Sequence, residues 1–300
     1  MSKDRQMKTH SRQDRWFDFG VVFLLCVVLF AVIYPLYFVV IASFSDPMSV
    51  LGGKVIWKPS QFSIEAYRMV FRNSQVMMGY RNTIFYTIVG TVINITLSVA
   101  AAYPLSRRNL KGKGALMGIM IFTMFFSGGL IPTYITISRL GLINTFVVMV
   151  LPTAVSVYYV MVMRTFFMNS IPYELEEAAY VDGASHLRTL WAIVLPLSKP
   201  ILAVMVLFYA IMHWNSYFNA LLYLTEHDRY PLQLVLRGIL IQSQSSEESL
   251  ADVQGTFNRM LMSETIKYAL IIVASLPVLC LYPFLQKYFV QGIMIGSIKG

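Results

Sequence analysis

The chain alternates between long apolar stretches and shorter segments that hold its charged residues. Six stretches contain no Asp, Glu, Lys or Arg, and each is long enough to cross a bilayer, which takes about 20 apolar residues in a helix. They are 19–45, 82–106, 114–138, 140–163, 200–225 and 268–286. Because backbone polar groups in hydrocarbon must bond within their own segment, these stretches are predicted to be helical. The pattern predicts an all-α integral membrane protein with six transmembrane helices.

The composition excludes other classes of protein. The 300 residues are 57% hydrophobic and 13% charged, whereas roughly 25% of the residues of soluble domains are charged. A soluble enzyme and a disordered chain are therefore excluded. Cys26 and Cys280 both lie in apolar runs, so no disulfide framework is predicted. The charged residues lie outside long uncharged runs that make up most of the chain, and this is not typical of a nucleic-acid-binding protein, so no nucleic-acid partner is predicted.

The distribution of Lys and Arg predicts the orientation in the membrane. The N-terminal tail, 1–18, holds five basic residues, and the short segment 107–113 holds four. Because short cytoplasmic segments are rich in Lys and Arg, both termini are predicted to be cytoplasmic, with 19–290 as the membrane domain and 291–300 as the C-terminal tail. The first run is interpreted as an uncleaved signal anchor, since it is longer than the apolar part of a signal peptide. The chain is predicted to be a multi-pass protein of the cell membrane.

Two longer segments are then predicted to be external. The segment 46–81 has apolar residues near its end, at 64–71, that suggest a short interfacial helix. The segment 226–267 contains a polar stretch at 242–248, which is interpreted as an exposed loop tip.

A helix–turn–helix is predicted in the cytoplasmic segment 170–196. The first helix is predicted to be capped by Ser170 and to end at Asp182 and Gly183, since glycine adopts the left-handed conformation of a tight turn. The apolar residues of the second helix recur with helical spacing. These residues are Leu187, Leu190, Trp191 and Val194. A DNA-reading helix pair is excluded because acidic residues outnumber basic ones, while an ordinary interfacial helix stays open as an alternative.

The residues of this segment also carry a family resemblance. Glu177-Ala178-Ala179, then Gly183, and after nine residues Ile193-x-Leu195-Pro196, resemble the EAA loop of ABC importer permeases. With Asp182 included, the string is similar to that of the carbohydrate uptake branch, of which the maltose permease is an example. Further similarity lies in 126–134, 140–145, 214–221 and the C-terminal residues 286–300.

The resemblance implies the fold of a type I ABC importer permease, which imports sugars by alternating access. It implies a heterodimer with a second homologous permease chain, a cytoplasmic ATPase dimer that uses ATP and magnesium, and an extracellular solute-binding protein. It also implies that the 170–196 segment is the coupling loop, with Glu177 as the charged contact to the ATPase. The implied coupling residues are Glu177, Ala178, Ala179, Asp182, Gly183, Ile193, Leu195 and Pro196. The tail residues implied to contact the ATPase are Gly296, Lys299 and Gly300. The segment 226–267 is implied to reach toward the binding protein.

The chain itself lacks the glycine-rich loop that holds phosphates in ATPases, so it is predicted to bind no cofactor and to catalyse no reaction of its own. For a sugar path, aromatic faces and amides are required, and the fifth run provides Trp214, Asn215, Tyr217 and Asn219. Ser127 and Tyr134 are further candidates. Alternatively, these side chains bond and pack between helices, as is predicted for His213.

Other functions fit the sequence less well. A secondary transporter or channel would use carboxylates inside the membrane, and none lies in the six runs. A membrane metalloenzyme would need clustered ligands, which the spacing of the four histidines does not offer. An ABC permease for a solute other than a sugar also remains an alternative.

Overall fold

The computed structural model describes residues 12–245, 266–281 and 283. The predicted tail contacts Gly296, Lys299 and Gly300 lie outside these residues. All regular structure within the described ranges is helical. The helices are α1 (Arg12–Ser43), α2 (Pro47–Leu51), α3 (Glu65–Arg72), α4 (Ser74–Ser106), α5 (Lys113–Phe125), α6 (Leu130–Arg139), α7 (Val147–Val150), α8 (Val157–Ser170), α9 (Tyr173–Val181), α10 (His186–Thr189), α11 (Leu195–Leu197), α12 (Lys199–Trp214), α13 (Phe218–Tyr223), α14 (Leu232–Ser245) and α15 (Ile266–Leu281). Single 3-10 turns occupy Leu151–Thr153 and His227–Arg229, and a π-helical turn, Leu190–Val194, joins α10 to α11.

Two helices of the described part, α1 and α4, are each long and apolar enough to cross a membrane unbroken. The helix α4 has 33 residues and is therefore about 50 Å long. The described residues separate into two compact units, one within Met1–Val70 and Ser243–Ile272, the other within Phe71–Gln242 and Val273–Gly300.

Two other apolar runs, 114–138 and 140–163, are bent pairs of helices and not single continuous helices, and a third bend lies just before the fifth run. The run 114–138 divides into α5 and α6, which meet at 109°. Gly129, at the break, has a φ of 82°, a conformation that other residues rarely adopt. The segment Phe146–Thr153 meets α8 at 55°, and His186–Leu197 meets α12 at 83°.

The run 200–225 also differs from its prediction. The helix α12 ends at Trp214, and α13 begins only at Phe218. The polar residues between them, 215–217, therefore lie at a helix end, not inside a continuous membrane helix.

In the first unit, aromatic and hydroxyl contacts join α1 to the segment that follows it. Ser43 Oγ lies 2.8 Å from the hydroxyl of Tyr67 on α3, and Phe44 stacks on Phe62 with ring centroids 5.7 Å apart. The helix α3 occupies the position where a short helix was predicted. Most apolar side chains of α1 are exposed, as expected of a helix that faces lipid or another membrane subunit.

The core of the second unit lies between α4, α8 and α12. Among the described residues, its largest fully buried side chain is Tyr209, whose hydroxyl lies 2.7 Å from Ser98 Oγ. A second contact supports the break before α8, where backbone carbonyls lose their helical partners. Asn94 Nδ2 donates to the carbonyl oxygens of Thr153 and Ala154, at 2.7 and 2.8 Å. A polar side chain thus satisfies the backbone at a break inside an apolar helix bundle.

His213 completes this contact. Its Nε2 lies 2.6 Å from Asn94 Oδ1, and only 2% of the residue is exposed. Because Asn94 uses its amide nitrogen for the two carbonyls, its oxygen accepts and His213 Nε2 donates. The prediction of a packed, hydrogen-bonded histidine is confirmed.

Candidate functional sites at the two ends of α4

The 170–196 segment is a helix–turn–helix, with two corrections to its prediction. Ser170 does not cap α9: it is the last residue of α8, and α9 begins at Tyr173 after Pro172. The turn at Gly183 is as predicted, with a φ of 74°. The Ala184 amide donates to the Ala179 carbonyl at 2.9 Å, which closes the end of α9.

The second correction concerns the apolar face of the second short helix. Leu190 and Val194 are buried, but Leu187 and Trp191 are 69% and 71% exposed. The π-helical turn inserts one extra residue, so positions that would share one face of an α-helix are rotated apart.

Several large apolar residues of this segment are exposed. Tyr180 and Val181, at the end of α9, are 74% and 84% exposed. Together with the exposed Leu187 and Trp191 of the second short helix, we call them the docking patch. The patch lies outside the apolar runs, and exposed apolar residues in such a group mark an interaction site.

An ion pair connects the segment to the end of α4. Glu176 pairs with Arg107, and both side chains are largely buried, at 13% and 15% exposed. Burial lowers the pKa of the Arg107 guanidinium below its usual range, but arginine stays charged at neutral pH. The Tyr103 hydroxyl adds a bond to the His186 carbonyl at 3.2 Å. Sequence reasoning missed Glu176 and Arg107, although Arg107 opens the basic cluster that indicated orientation.

The predicted anchor Glu177 differs from its neighbour. It is exposed and lines a groove of about 600 Å³ that also contains Arg108, Tyr173 and Tyr180. The other predicted coupling residues differ in exposure. Ala178, Asp182 and Pro196 are exposed, Ile193 and Leu195 are half-buried, and Ala179 is buried. The structure thus brings Glu177 to the surface and turns Glu176 inward.

The other end of α4 carries a network that sequence reasoning also missed. Asn144 has a φ of 58°, and its Oδ1 accepts from the Thr225 and Glu226 amides, at 3.3 Å each. The Arg229 guanidinium donates to the Asn144 carbonyl. The only sequence signal is that asparagine tolerates a left-handed conformation in turns.

From α4, three side chains reach this same region. Asn82 Nδ2 donates to the carbonyls of Asp228 and Tyr230, at 2.6 and 3.1 Å. The Tyr86 hydroxyl donates to the Arg229 carbonyl at 2.9 Å. The Leu232 amide, in the first turn of α14, donates to Thr83 Oγ1 at 2.8 Å. The predicted loop 226–267 therefore begins as an anchored turn and the helix α14. The helix includes 242–245 of the predicted tip, and 246–248 lie outside the described residues.

The residues predicted to line a sugar path lie in different surroundings. Trp214 is buried, donates from Nε1 to the Ala274 carbonyl at 3.0 Å and meets the edge of the Tyr80 ring. In this structure it packs between helices. Asn215, Tyr217 and Asn219 line one cavity of about 190 Å³.

The two remaining candidates lie apart from this cavity. Tyr134, on α6, stacks on Tyr223 with ring centroids 5.9 Å apart. Ser127 lies in the exposed break between α5 and α6. Neither is a lining residue of the cavity beside Asn215.

The described part of the chain is thus helical and largely apolar, with an exposed apolar patch near one end of α4 and a cavity lined by polar residues that begins beside His213. Comparison with known proteins shows the family of the chain. The family described as binding-protein-dependent transport system inner membrane component matches residues 76–295. The chain belongs to this family. The secondary-transporter and channel alternatives are not favoured.

Two relatives are similar over nearly the whole chain. The polygalacturonan/rhamnogalacturonan transport system permease protein YtcP of Bacillus subtilis is 38% identical over 96% of this chain and 100% of its own. A solved bacterial ABC transporter involved in the import of the acidic polysaccharide alginate has a TM-score of 0.85 and 32% identity, over 93% of this chain and 98% of that one. A second alginate transporter chain, from a complex with an alginate pentasaccharide-bound periplasmic protein, has a TM-score of 0.60 and 14% identity, over 90% and 93%, and shows the fold alone.

Proposed function

We propose that this chain is the membrane-spanning permease subunit of an ATP-driven, binding-protein-dependent importer of oligosaccharides. In this proposal it crosses the membrane six times, with both termini in the cytoplasm. The docking patch is the observation that carries the coupling role. Four large apolar side chains stand exposed on a short helix pair outside the apolar runs, where a partner protein would cover them.

Coupling follows from what the helix pair contacts on its inner side. The patch seats in a cytoplasmic ATPase dimer, with Glu177 as the exposed charged contact. When ATP binding closes the ATPases, the segment moves with them, and the Glu176–Arg107 pair carries the movement to α4. A helix is stiff along its axis, so displacement at Arg107 reaches the far end of α4. ATP and magnesium are bound by the ATPase, and this chain supplies the path.

The cargo assignment is supported by the relatives and by the chemistry of the cavity beside Asn215. The named relatives carry polysaccharides or their fragments, and Asn215, Tyr217 and Asn219 offer amides and an aromatic face to a sugar. A second permease chain completes the path, and an extracellular solute-binding protein delivers the cargo. A complex with such a periplasmic protein has been solved for a structural neighbour.

Affinity purification from native membranes tests the assembly. We expect the intact chain to recover an ATPase and a second permease. Val181→Asp places a charge in the docking patch and should lose the ATPase while it keeps the second permease.

Leu51→Asp is the matched control, since Leu51 is also an exposed apolar residue at the last position of a short helix, α2. It should retain both partners. Recovery of the ATPase with Val181→Asp, or no ATPase with the intact chain, would contradict the proposal. Stimulation of ATP hydrolysis by the binding protein with oligosaccharides then tests the cargo.

A further inference from the structure

A groove of about 400 Å³ lies beside the far end of α4. Its polar lining comes from three segments, with Gln75 from α4, His227 and Tyr230 from the anchored turn, and Arg237 from α14. Among the described residues that line it, none is acidic. The groove is close to the cavity of Asn215 and Asn219, because Tyr217 lines that cavity and also lies beneath Arg237.

Arg237 is exposed, and its guanidinium lies 5.5 Å from the centroid of the Tyr217 ring. Within the described part of the chain, no carboxylate pairs with it. Arg229, by contrast, pairs with Glu226 at 3.0 Å, and Arg107 pairs with Glu176. A guanidinium held over an aromatic face keeps the N–H groups of its edge free for a planar acceptor.

Hydrogen bonds hold the segment that carries this arginine against α4. The first turn of α14 is bonded to Thr83, and the turn before it is bonded to Asn82 and Tyr86. Gly79 brings α4 against the Leu232 backbone, where an added Cβ would lie 3.1 Å from the Leu232 Cα. Groups held in place before a ligand arrives lose less entropy on binding it.

We propose that Arg237 and Tyr217 form a subsite for the carboxylate of an acidic sugar unit, at the entrance of the path. Arg237 binds the carboxylate through two parallel N–H groups. A neutral hexose has no carboxylate and cannot accept this pair of charged hydrogen bonds. The hydroxyl groups of the unit meet Gln75 and Tyr230. The subsite rests on the proposed function, because it needs an oligosaccharide cargo and an external position for α14.

The test compares a trimer of galacturonic acid with its methyl ester, which has the same sugar skeleton without the negative charges. The assembled transporter, in lipid nanodiscs and without binding protein, is titrated with each trimer by saturation-transfer NMR. We expect Arg237→Gln to weaken binding of the acid about tenfold, the size of a lost charged hydrogen bond at an exposed site. Binding of the ester should change less than twofold.

Arg139→Gln is the matched control, since Arg139 is an exposed arginine at the end of α6 that loses the same charge. It should leave both titrations unchanged, and recovery of the ATPase with each variant verifies folding. An equal loss for acid and ester in Arg237→Gln, or an equal loss of acid binding in Arg139→Gln, would overturn the subsite. If the variant's ATP hydrolysis still responds to oligosaccharides, the proposed function survives that failure. If the unmodified transporter responds to no oligosaccharide, both fail.

Discussion

The two ends of α4 are built differently. At the 170–196 end, an ion pair and a tyrosine hydroxyl connect the helix pair to α4, and large apolar side chains are left exposed. At the far end, side chains from α4 and Asn144 bond a series of backbone groups between Thr225 and Leu232. The first end is suited to contact with another protein, and the second holds polar groups in fixed positions. In the proposed function, the first end contacts the ATPase and the second end meets the cargo.

The largest effect is expected at the crossing of α4 and α12. Because α4 carries both ends, a disturbed crossing affects them together. A Cβ added at Gly90 would overlap the ring of His213, which is buried and bonded to Asn94. Gly90→Leu should therefore lower the free energy of unfolding by about 3 kcal/mol or more. Thermal unfolding of the purified chain in detergent measures this.

Gly118→Leu is the control for this prediction, because a Cβ at Gly118 has no atom within 4 Å. If the two variants unfold at the same temperature, the close crossing is not a determinant of stability.

A smaller effect is expected at the 170–196 end of α4. Glu176→Gln leaves Arg107 largely buried without its partner and should cost about 2 kcal/mol. Glu177→Gln, at the exposed neighbouring position, should leave the unfolding temperature unchanged but lower uptake through the loss of the ATPase contact. Similar unfolding temperatures for these two variants would contradict the division of roles between the adjacent glutamates.

The turn of the docking end gives a third prediction. Gly183 has a φ of 74° and open space around it, so a substitution is limited by backbone strain alone. Gly183→Val should cost about 1–2 kcal/mol and reduce uptake, because a β-branched residue is poorly accommodated there. Gly183→Asn, which tolerates this conformation, should retain most of the uptake. Equal uptake by the two variants would show that the turn does not depend on its φ.

The smallest effect is expected at the far end, where Asn144 bonds the backbone of the turn. Asn144→Ala removes the acceptor for two backbone amides and keeps a Cβ at a φ of 58°, so it should cost about 1 kcal/mol or slightly more. Asn144→Gly removes the same acceptor without the strain and should be less destabilising. Hydrogen exchange at the Thr225 and Glu226 amides measures the local effect. Unchanged exchange in both variants would mean that Asn144 does not stabilise this turn.

Several features were predictable because their signals are local. The break between α5 and α6 falls at Gly128 and Gly129, which interrupt the third run, and the turn at Gly183 follows from the glycine itself. The bend angles were not predictable, because neighbouring helices determine how far two halves of a run turn. The residue type of Trp214 makes it a candidate for a sugar path and leaves packing between helices open, and only the structure shows that it packs against Tyr80 and bonds the Ala274 carbonyl.

Hydropathy along the chain and one short string of residues were enough to establish a membrane protein and to indicate its family. Hydropathy is a sum over neighbouring residues, and the string is a spacing of neighbouring residues. Neither signal depends on how distant parts of the chain fold. Tertiary packing alone determined which of two adjacent glutamates is buried, and that His213 meets Asn94, 119 residues away. It also left Arg237 over a tyrosine ring with no carboxylate partner among the described residues. Burial and pairing of a side chain depend on residues remote in sequence, and only the folded chain brings those residues together.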